Sequence, residues 1–418
     1  MSNFTNYSLS VEKGLRGNIG KMAVVEKKDG SAFMDVMLFL VANGDNNRDA
    51  QSQIVNVHFP QEALEELKSY GVSDYVRVYF DRIDLAKGIS KQSGQEALYI
   101  SVKATGIEML KKDGFSVTIW NKDGPITQDE LIENSKAHHV LFCSSKDKID
   151  KRFLNECAHL EMISQFAAGY DNIEVAEATR LGIPIGYTPN AMNEATADVA
   201  FGLMIATARK MFYLHKKISK GEWEHFNPTA HLGMELRNKT LGIFGLGRIG
   251  MQMAKRCQGA YDMKIIYHNR KPLQKPLKEL DLTYVDFKTL LSESDVISVH
   301  CPLISDTIEV FDKTAFSQMK PTAIFINTAR GLVHNEQDLT EALLNGTIWG
   351  AGLDVTNPEP MQPDNPLLQM ENVSVLPHIG SATFEARAEM SKLAAENILG
   401  FYKNKRIPHL INPEVFNH

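Results

Sequence analysis

Leu241-Gly242-Ile243-Phe244-Gly245-Leu246-Gly247-Arg248-Ile249-Gly250 runs from a short apolar strand through a Gly-x-Gly-x-x-Gly turn into a helix. Gly245 permits the tight turn, Gly247 lets a pyrophosphate approach the backbone, and Gly250 lets the helix pack closely on the strand. The helix expected over Arg248–Gln258 would aim unsatisfied N–H groups and the positive end of its dipole at phosphates. A plain strand-to-helix turn can carry the same glycines. The motif therefore takes its weight from what lies around it.

Outward from this turn, strands alternate with helix-length segments. Upstream are Phe115–Trp120, His139–Cys143, Glu161–Phe166 and Pro184–Tyr187; downstream are Lys264–Tyr267, Val296–His300, Ala323–Asn327, Gly350–Val355 and Val373–Leu376. Such alternation indicates parallel sheets built from strand–helix–strand crossovers. The fold class expected from about residue 105 is α/β, with two doubly wound parallel-sheet lobes bridged by a long helix over Asn193–Lys210. The substrate lobe takes residues 105–193 and is completed by 389–418, while 194–388 form the dinucleotide lobe.

The first hundred residues differ in kind. Strands are expected at Gly14–Val25, Phe33–Val41 and Gln53–Phe59, then a helix at Gln61–Tyr70, then strands at Asp74–Ile83 and Leu98–Lys103. Lys28-Asp29-Gly30, Asn43-Gly44-Asp45 and Ser93-Gly94 supply the turns between them. Three strands, a helix and two strands is the order of an oligonucleotide-binding barrel, here an all-β module over 1–104. Residues 12–110 resemble bacterial and phage single-stranded DNA-binding proteins through Leu15-Arg16-Gly17-Asn18-Ile19-Gly20, the amphipathic helix and the closing strand Leu98-Tyr99-Ile100-Ser101-Val102. In Asp74–Ile83, Val76, Val78 and Phe80 would face inward, with Tyr75, Arg77 and Tyr79 outward beside Tyr99 and Lys103. Bases stack on such aromatics and phosphates pair with the cations. The junction is open: Leu98–Lys103 serves as the last barrel strand, whereas residues 105–110 read as the opening helix of the α/β part. If 97–112 belong to the barrel, the substrate lobe is incomplete.

Composition sets bounds. The 418 residues are 43% hydrophobic and 23% charged, ordinary for globular domains with substantial cores, and two or three domains are expected. A net charge of −6 gives no global reason to bind nucleic acid or anionic lipid. No apolar run reaches the roughly 18 residues of a membrane span, and MSNFTNYSLSVEKG is not a secretion signal. The four cysteines, Cys143, Cys157, Cys257 and Cys301, are scattered without metal spacing, which fits reduced thiols in the cytoplasm and no metal.

The chemistry lies in six stretches: Ala167-Ala168-Gly169-Tyr170-Asp171-Asn172-Ile173, Asn193-Glu194-Ala195-Thr196-Ala197-Asp198, the glycine turn, Ile326-Asn327-Thr328-Ala329-Arg330-Gly331, Gly352-Leu353-Asp354-Val355 with Glu359, and Pro377-His378-Ile379-Gly380. Through these, residues from about 105 to 418 resemble the D-isomer-specific 2-hydroxyacid dehydrogenases, in particular the glyoxylate, hydroxypyruvate and 2-ketogluconate reductase branch. The resemblance implies a flavodoxin-like substrate lobe, a Rossmann cofactor lobe, reduction of a small 2-oxo acid to the D-2-hydroxy acid, and a homodimer with the helix near Asn193–Lys210 at its contact.

The roles it implies make physical sense. An alkoxide formed by hydride transfer needs a general acid near neutrality, which His378 can be. Glu359 would hold its imidazole in one tautomer and stabilise the imidazolium. Arg330, at the carboxyl end of a strand, offers a guanidinium fork to the substrate carboxylate, aided by Ala168 and Gly169 of the substrate loop. Cofactor contacts are implied at Gly245, Gly247, Arg248, Ile249, Gly250, Cys301, Pro302, Thr328, Ala329 and Asp354, although a strand-end aspartate such as Asp354 can instead cap the next turn. An acid about 20 residues past the glycine turn would select NAD(H). Here His268, 18 residues past Gly250, begins His268-Asn269-Arg270-Lys271, and this carboxylate-free anion pocket predicts NADP(H) preference with NAD(H) possible. Two alternatives remain open: a nucleotide-sensing corepressor, since carboxy-terminal-binding corepressors share these motifs, and a single-stranded DNA-binding protein with an inert dehydrogenase-like tail.

Overall fold

Alternating apolar and polar residues in the first hundred positions pair as antiparallel strands, as period-two patterns do. The computed structural model describes the backbone of 15–26, 32–40, 53–59, 75–79 and 82–86, together with residues 106–120, 125–274 and 279–416. The chain divides into two units, residues 1–104 and 105–418. In the first, β1 (Leu15–Glu26), β2 (Ala32–Leu40), β3 (Gln53–Phe59), β4 (Tyr75–Tyr79) and β5 (Arg82–Ala86) form one sheet in the order β3-β2-β1-β4-β5. β1 pairs with β2 from Gly17↔Leu40 to Glu26↔Ala32, with a shift of register between Ile19 and Lys21, and with β4 from Leu15↔Val78 to Asn18↔Tyr75. The single strand expected at Asp74–Ile83 is instead a hairpin, since Tyr79 pairs with Arg82 across a reversal. Apolar residues alternate along each arm, Val76 and Val78 on the first and Ile83 and Leu85 on the second, and so short an interval between them left periodicity nothing to divide them by. The helix expected at Gln61–Tyr70 and the strand at Leu98–Lys103 lie outside the described residues.

The second unit begins with helical residues 106–112. Gly106 N–H donates to Ser391 Oγ at 3.0 Å, and Leu110 is buried with Met162, Ala395 and Ile398. These residues thus pack with the α/β unit. Its smaller sheet has parallel strands β6 (Val140–Ser144), β7 (Met162–Phe166) and β8 (Ile185–Gly186), in that order. The C-terminal helix Phe384–Asn404 covers β7, with Ser164 Oγ donating to Ala394 O at 2.8 Å. Phe115–Trp120, expected as a strand, makes no ladder. Its alternation has a different cause: Phe115 and Val117 pack against the same cluster, and Phe115 meets Tyr402 edge-on at 5.2 Å.

The larger sheet is wholly parallel. It comprises β9 (Thr240–Phe244), β10 (Lys264–His268), β11 (Leu282–Tyr284), β12 (Val296–Val299), β13 (Ile324–Asn327), β14 (Gly350–Leu353) and β15 (Val373–Val375). Their order, β11-β10-β9-β12-β13-β14-β15, reverses between β9 and β12, the switch point at which such sheets open a crevice beyond their carboxyl ends. Strands buried on both faces read as continuous apolar runs. Successive residues accordingly feed opposite cores: Phe244, Ile297, Phe325 and Leu353 enter one, Leu241, Ile243, Ile324 and Ile326 the other. Three-residue β11 carries too little pattern to be expected from sequence. The helix Asn193–Ala208 buries Leu203 and Met204 in the second core and stops before Lys210, whose φ of 54° is left-handed. Among the described residues, no helix is long and apolar enough to cross a membrane, and no cluster of side chains could hold a metal ion.

Candidate active site

Four loops leave the carboxyl ends of β9, β13, β14 and β15, carrying Gly245, Arg330, Glu359 and His378 respectively. Each is shaped by its neighbours. Asn327, fully buried at the end of β13, accepts from Ala329 N–H at 2.9 Å and donates through Nδ2 to Arg330 O at 2.9 Å, folding the turn that ends on Arg330. Gly331 follows because a Cβ there would lie 2.0 Å from Thr356 O. That close approach locks the Arg330 loop against the loop that leads to Glu359. Glu336 steadies the same loop, accepting from Asn357 N–H at 2.9 Å and Asn365 Nδ2 at 2.7 Å.

His378 has a φ of 54° and is held from behind. Both oxygens of buried Asp354 accept backbone N–H groups, from Ile379 and Gly380, each at 2.8 Å. Burial pushes the Asp354 carboxyl above the usual carboxylate range, and those two N–H bonds oppose it. Asp354 thus braces the loop after β15, 25 residues farther along the chain, and not the turn that follows it directly. In front, His378 Nδ1 donates to Glu359 Oε1 at 2.6 Å, which leaves Nε2 as the nitrogen able to meet a ligand. Lys146, in the loop after β6, donates to the same oxygen. Burial alone would raise the Glu359 carboxyl, but the bonds from His378 and Lys146 override it and hold it at about 2.

Arg330 reaches the small lobe. Its Nε donates to Asp171 Oδ1 at 2.9 Å, and its guanidinium fills the place of a Gly169 side chain, whose Cβ would lie 1.9 Å from Nη2. Gly169 therefore lies directly against the guanidinium. Lys146, Asp171, Asn327 and Glu336 were not foreseen as site residues. Asp171 and Asn327 lay inside quoted motifs; Lys146 and Glu336 had no signal in the sequence.

The glycine turn offers a fitting cradle for a dinucleotide. Gly245 has φ +94°, and a Cβ there would sit 2.6 Å from Cys301 N, while a Cβ on Gly247 meets nothing within 4 Å. The helix Arg248–Tyr261 starts with no side-chain cap, so its first N–H groups, from Arg248 and Ile249 onward, remain for an anion. A Cβ on Gly250 would stand 2.9 Å from Gly245 O, so this glycine serves helix packing. Cys301 is buried and burial pushes its thiol up to about 12, which leaves it a packing residue below the turn. Exposed Pro302 lends its carbonyl to Thr307 Oγ1 at 2.8 Å, and buried Thr328 and Ala329 line the start of the Arg330 turn.

One member of the expected anion pocket is committed elsewhere. Asn269 accepts from Leu246 N–H at 2.6 Å and donates to Leu246 O at 3.3 Å, bracing the glycine turn. A side chain with both ends so used is not offered to a phosphate, so the pocket reduces to His268, Arg270 and Lys271. His268 is stacked between Phe244 and Tyr284 and donates Nδ1 to Val285 O at 2.9 Å; Arg270 and Lys271 are exposed.

Residues 201–380 match the family described as D-isomer specific 2-hydroxyacid dehydrogenase, NAD binding domain. The chain is 41% identical over 318 residues to a glyoxylate reductase of Thermococcus litoralis, covering 75% of this chain and 95% of that protein. The chain belongs to the D-isomer-specific 2-hydroxyacid dehydrogenases. As a member of that family it is an oxidoreductase that uses a nicotinamide dinucleotide. It is also 40% identical over 290 residues to a mouse (Mus musculus) glyoxylate reductase/hydroxypyruvate reductase, covering 69% of this chain and 88% of that one. An NADPH-dependent glyoxylate/hydroxypyruvate reductase from Sinorhizobium meliloti, solved with NADP and malonate, has a TM-score of 0.65 at 31% identity, covering 75% of this chain and 94% of that one.

Two buried histidines beneath this dehydrogenase site set an acid limit on the fold. Burial pulls His300, between Ser298 and Thr328, down to about 3, and His334, whose Nδ1 accepts from Asn327 Nδ2 at 3.0 Å, down to about 4. Below the ordinary value of 6.5 the unfolded chain binds protons that these groups refuse, so stability falls with pH from 6.5 toward 4 and 3. Glu359 acts in the same direction: its depressed carboxyl contributes stability present above 4.5 and lost as pH falls toward 2. The melting temperature of the α/β unit is expected to decline continuously below about pH 6.5; a level curve down to about pH 4.5 contradicts the neutral-histidine assignment.

Proposed function

We propose that the α/β unit reduces a small 2-oxo acid, glyoxylate or hydroxypyruvate, to its D-2-hydroxy acid with NADPH. The observation that carries this reading is the Glu359–His378 hydrogen bond at 2.6 Å, on the edge of the sheet from which Arg330 also emerges. The names of the relatives point to the same substrates.

Gly245, Gly247, Arg248, Ile249 and Gly250 would hold the pyrophosphate, with Thr328, Ala329 and Asp354 nearer the reacting end. A reduced nicotinamide bound there supplies hydride to the carbonyl carbon. Arg330 exchanges its Asp171 partner for the substrate carboxylate, a bidentate match that fixes the carbonyl between the lobes. Ala168 and Gly169 bring backbone N–H groups to the same carboxylate. His378, protonated on Nε2, gives that proton to the carbonyl oxygen, and Glu359 keeps Nδ1–H pointed away and stabilises the imidazolium until the proton leaves. The surviving pocket of His268, Arg270 and Lys271 carries no acid to repel a 2′-phosphate, which favours NADPH. In steady-state assays, His378→Ala is expected to lose roughly 10² or more in kcat, and wild type to show higher kcat/KM with NADPH. An unchanged His378→Ala rate removes the acid assignment, and tenfold better kcat/KM with NADH removes the cofactor preference.

The N-terminal unit is proposed to bind single-stranded DNA. Its sheet order, β3-β2-β1-β4-β5, and the alternation Tyr75-Val76-Arg77-Val78-Tyr79 along β4 support the reading. Saturable retention of labelled oligothymidine at low salt is expected, and its absence disposes of this role.

A homodimer is proposed as the working assembly. Met211, Ile218, Trp223, Phe226 and Leu232 are exposed just beyond the helix Asn193–Ala208, with Phe226 at 87%. Large apolar side chains exposed in such number along one short stretch of chain support an interaction surface there. Sedimentation should give twice the chain mass, reduced to the monomer by Phe226→Asp with Trp223→Asp; a monomeric wild type rules it out.

A further inference from the structure

Glu359 Oε1 receives two donors, His378 Nδ1 at 2.6 Å and Lys146 Nζ. They arrive from different lobes. His378 and Glu359 follow β15 and β14 of the large sheet, whereas Lys146 sits on the turn after β6 of the small one. We propose that Lys146 is a positioning residue that lowers the proton affinity of His378 through their shared carboxylate oxygen, and that it does so when the two lobes are together. The proposal deepens the reading of His378 as general acid and rests on it.

The turn that carries Lys146 is built to deliver it. Asp147 Oδ2 accepts from Ser144 N–H at 2.6 Å and from Ser144 Oγ at 3.1 Å, closing a tight loop around Lys146. Asn172 Nδ2 donates to Ser144 O at 3.2 Å and Asp147 O at 2.8 Å, and fully buried Gln165 donates to Asn172 Oδ1 at 2.7 Å and Gly169 O at 3.2 Å. The turn of Lys146 and the loop of Gly169 and Asp171 are therefore one hydrogen-bonded block. That block presents a cation to Glu359 and an anion to Arg330. Lobe contact thus changes the charge around both groups at once.

The electrostatic sign follows from the groups around the imidazole. Glu359 after β14 and Asp354 at the end of β14 favour the imidazolium, while Lys146 opposes it; Arg330 is paired with Asp171. A proton on His378 and the ammonium of Lys146 compete for one oxygen, so the cation makes His378 a readier proton donor. Lys146 is 61% exposed, so the effect is subject to salt screening.

The test is the pH profile of kcat/KM for 2-oxo acid reduction by the full chain with NADPH, at low salt. Activity is lost on the alkaline side as His378 gives up its proton. In Lys146→Gln that limb is expected to move to higher pH by about half a unit, roughly a threefold gain in proton affinity. Lys146→Arg should restore the wild-type position. Added salt should narrow the separation between the wild-type and Lys146→Gln limbs, because it screens the one charge by which they differ. An unmoved limb in Lys146→Gln overturns the proposal, whether or not the rate falls. The readings separate cleanly: with His378→Ala inactive and the limb unmoved, only Lys146 is dismissed, whereas an active His378→Ala dismisses the general acid itself.

Discussion

The guanidinium of Arg330, lodged in the space left by Gly169 and paired with Asp171, is the contact on which the arrangement of the site depends. It joins the carboxyl edge of the large sheet to the loop after β7 of the small one. Nothing bulkier than hydrogen is tolerated at Gly331, where Thr356 O presses in from the next loop, while a side chain at Gly169 would have to displace the Arg330 guanidinium. Two glycines on either side of one arginine thus let three loops share a space that side chains would otherwise fill. At Gly331 the loop geometry holds because the facing backbone carbonyl cannot shift without strain.

Electrostatics complete what packing begins. The site holds ionised groups in pairs, Glu359 with His378 and Lys146, Arg330 with Asp171, so each charge brought partly out of water has a partner. Beneath it the polar groups are neutral or tied to backbone: His300 and His334 through burial, Asp354 through the N–H groups of Ile379 and Gly380. The layering is functional in a simple sense. His378, Glu359 and Arg330 are partly exposed, and the groups that fix their positions are buried below them.

Much of this was legible beforehand. The alternation of apolar runs with helix-length segments announced a parallel α/β unit, because strands buried on both faces need unbroken apolar sequence. The errors share a cause. Phe115–Trp120 alternates since one side packs on a core, yet it has no ladder; Asp74–Ile83 spans parts of two paired arms, each alternating; β11 is too short to show any pattern. Periodicity reports which side is buried and says little about backbone pairing. Asn269 shows the same limit at a site: its position suggested an anion ligand, while its amide serves Leu246.

From sequence alone came the glycine turn, the family motifs and the candidates Arg330, Glu359 and His378, because steric permission at glycine and the chemistry of a side chain are properties of the residue itself. Tertiary structure alone decided that Lys146 and Asp171 answer Glu359 and Arg330 from the other lobe, and that Asn327, Glu336 and Asp354 hold the loops in register. Those partners are separated in the chain by up to 213 positions, as with Lys146 and Glu359. A charge's partner is set by distance in space, which no local pattern along the chain encodes.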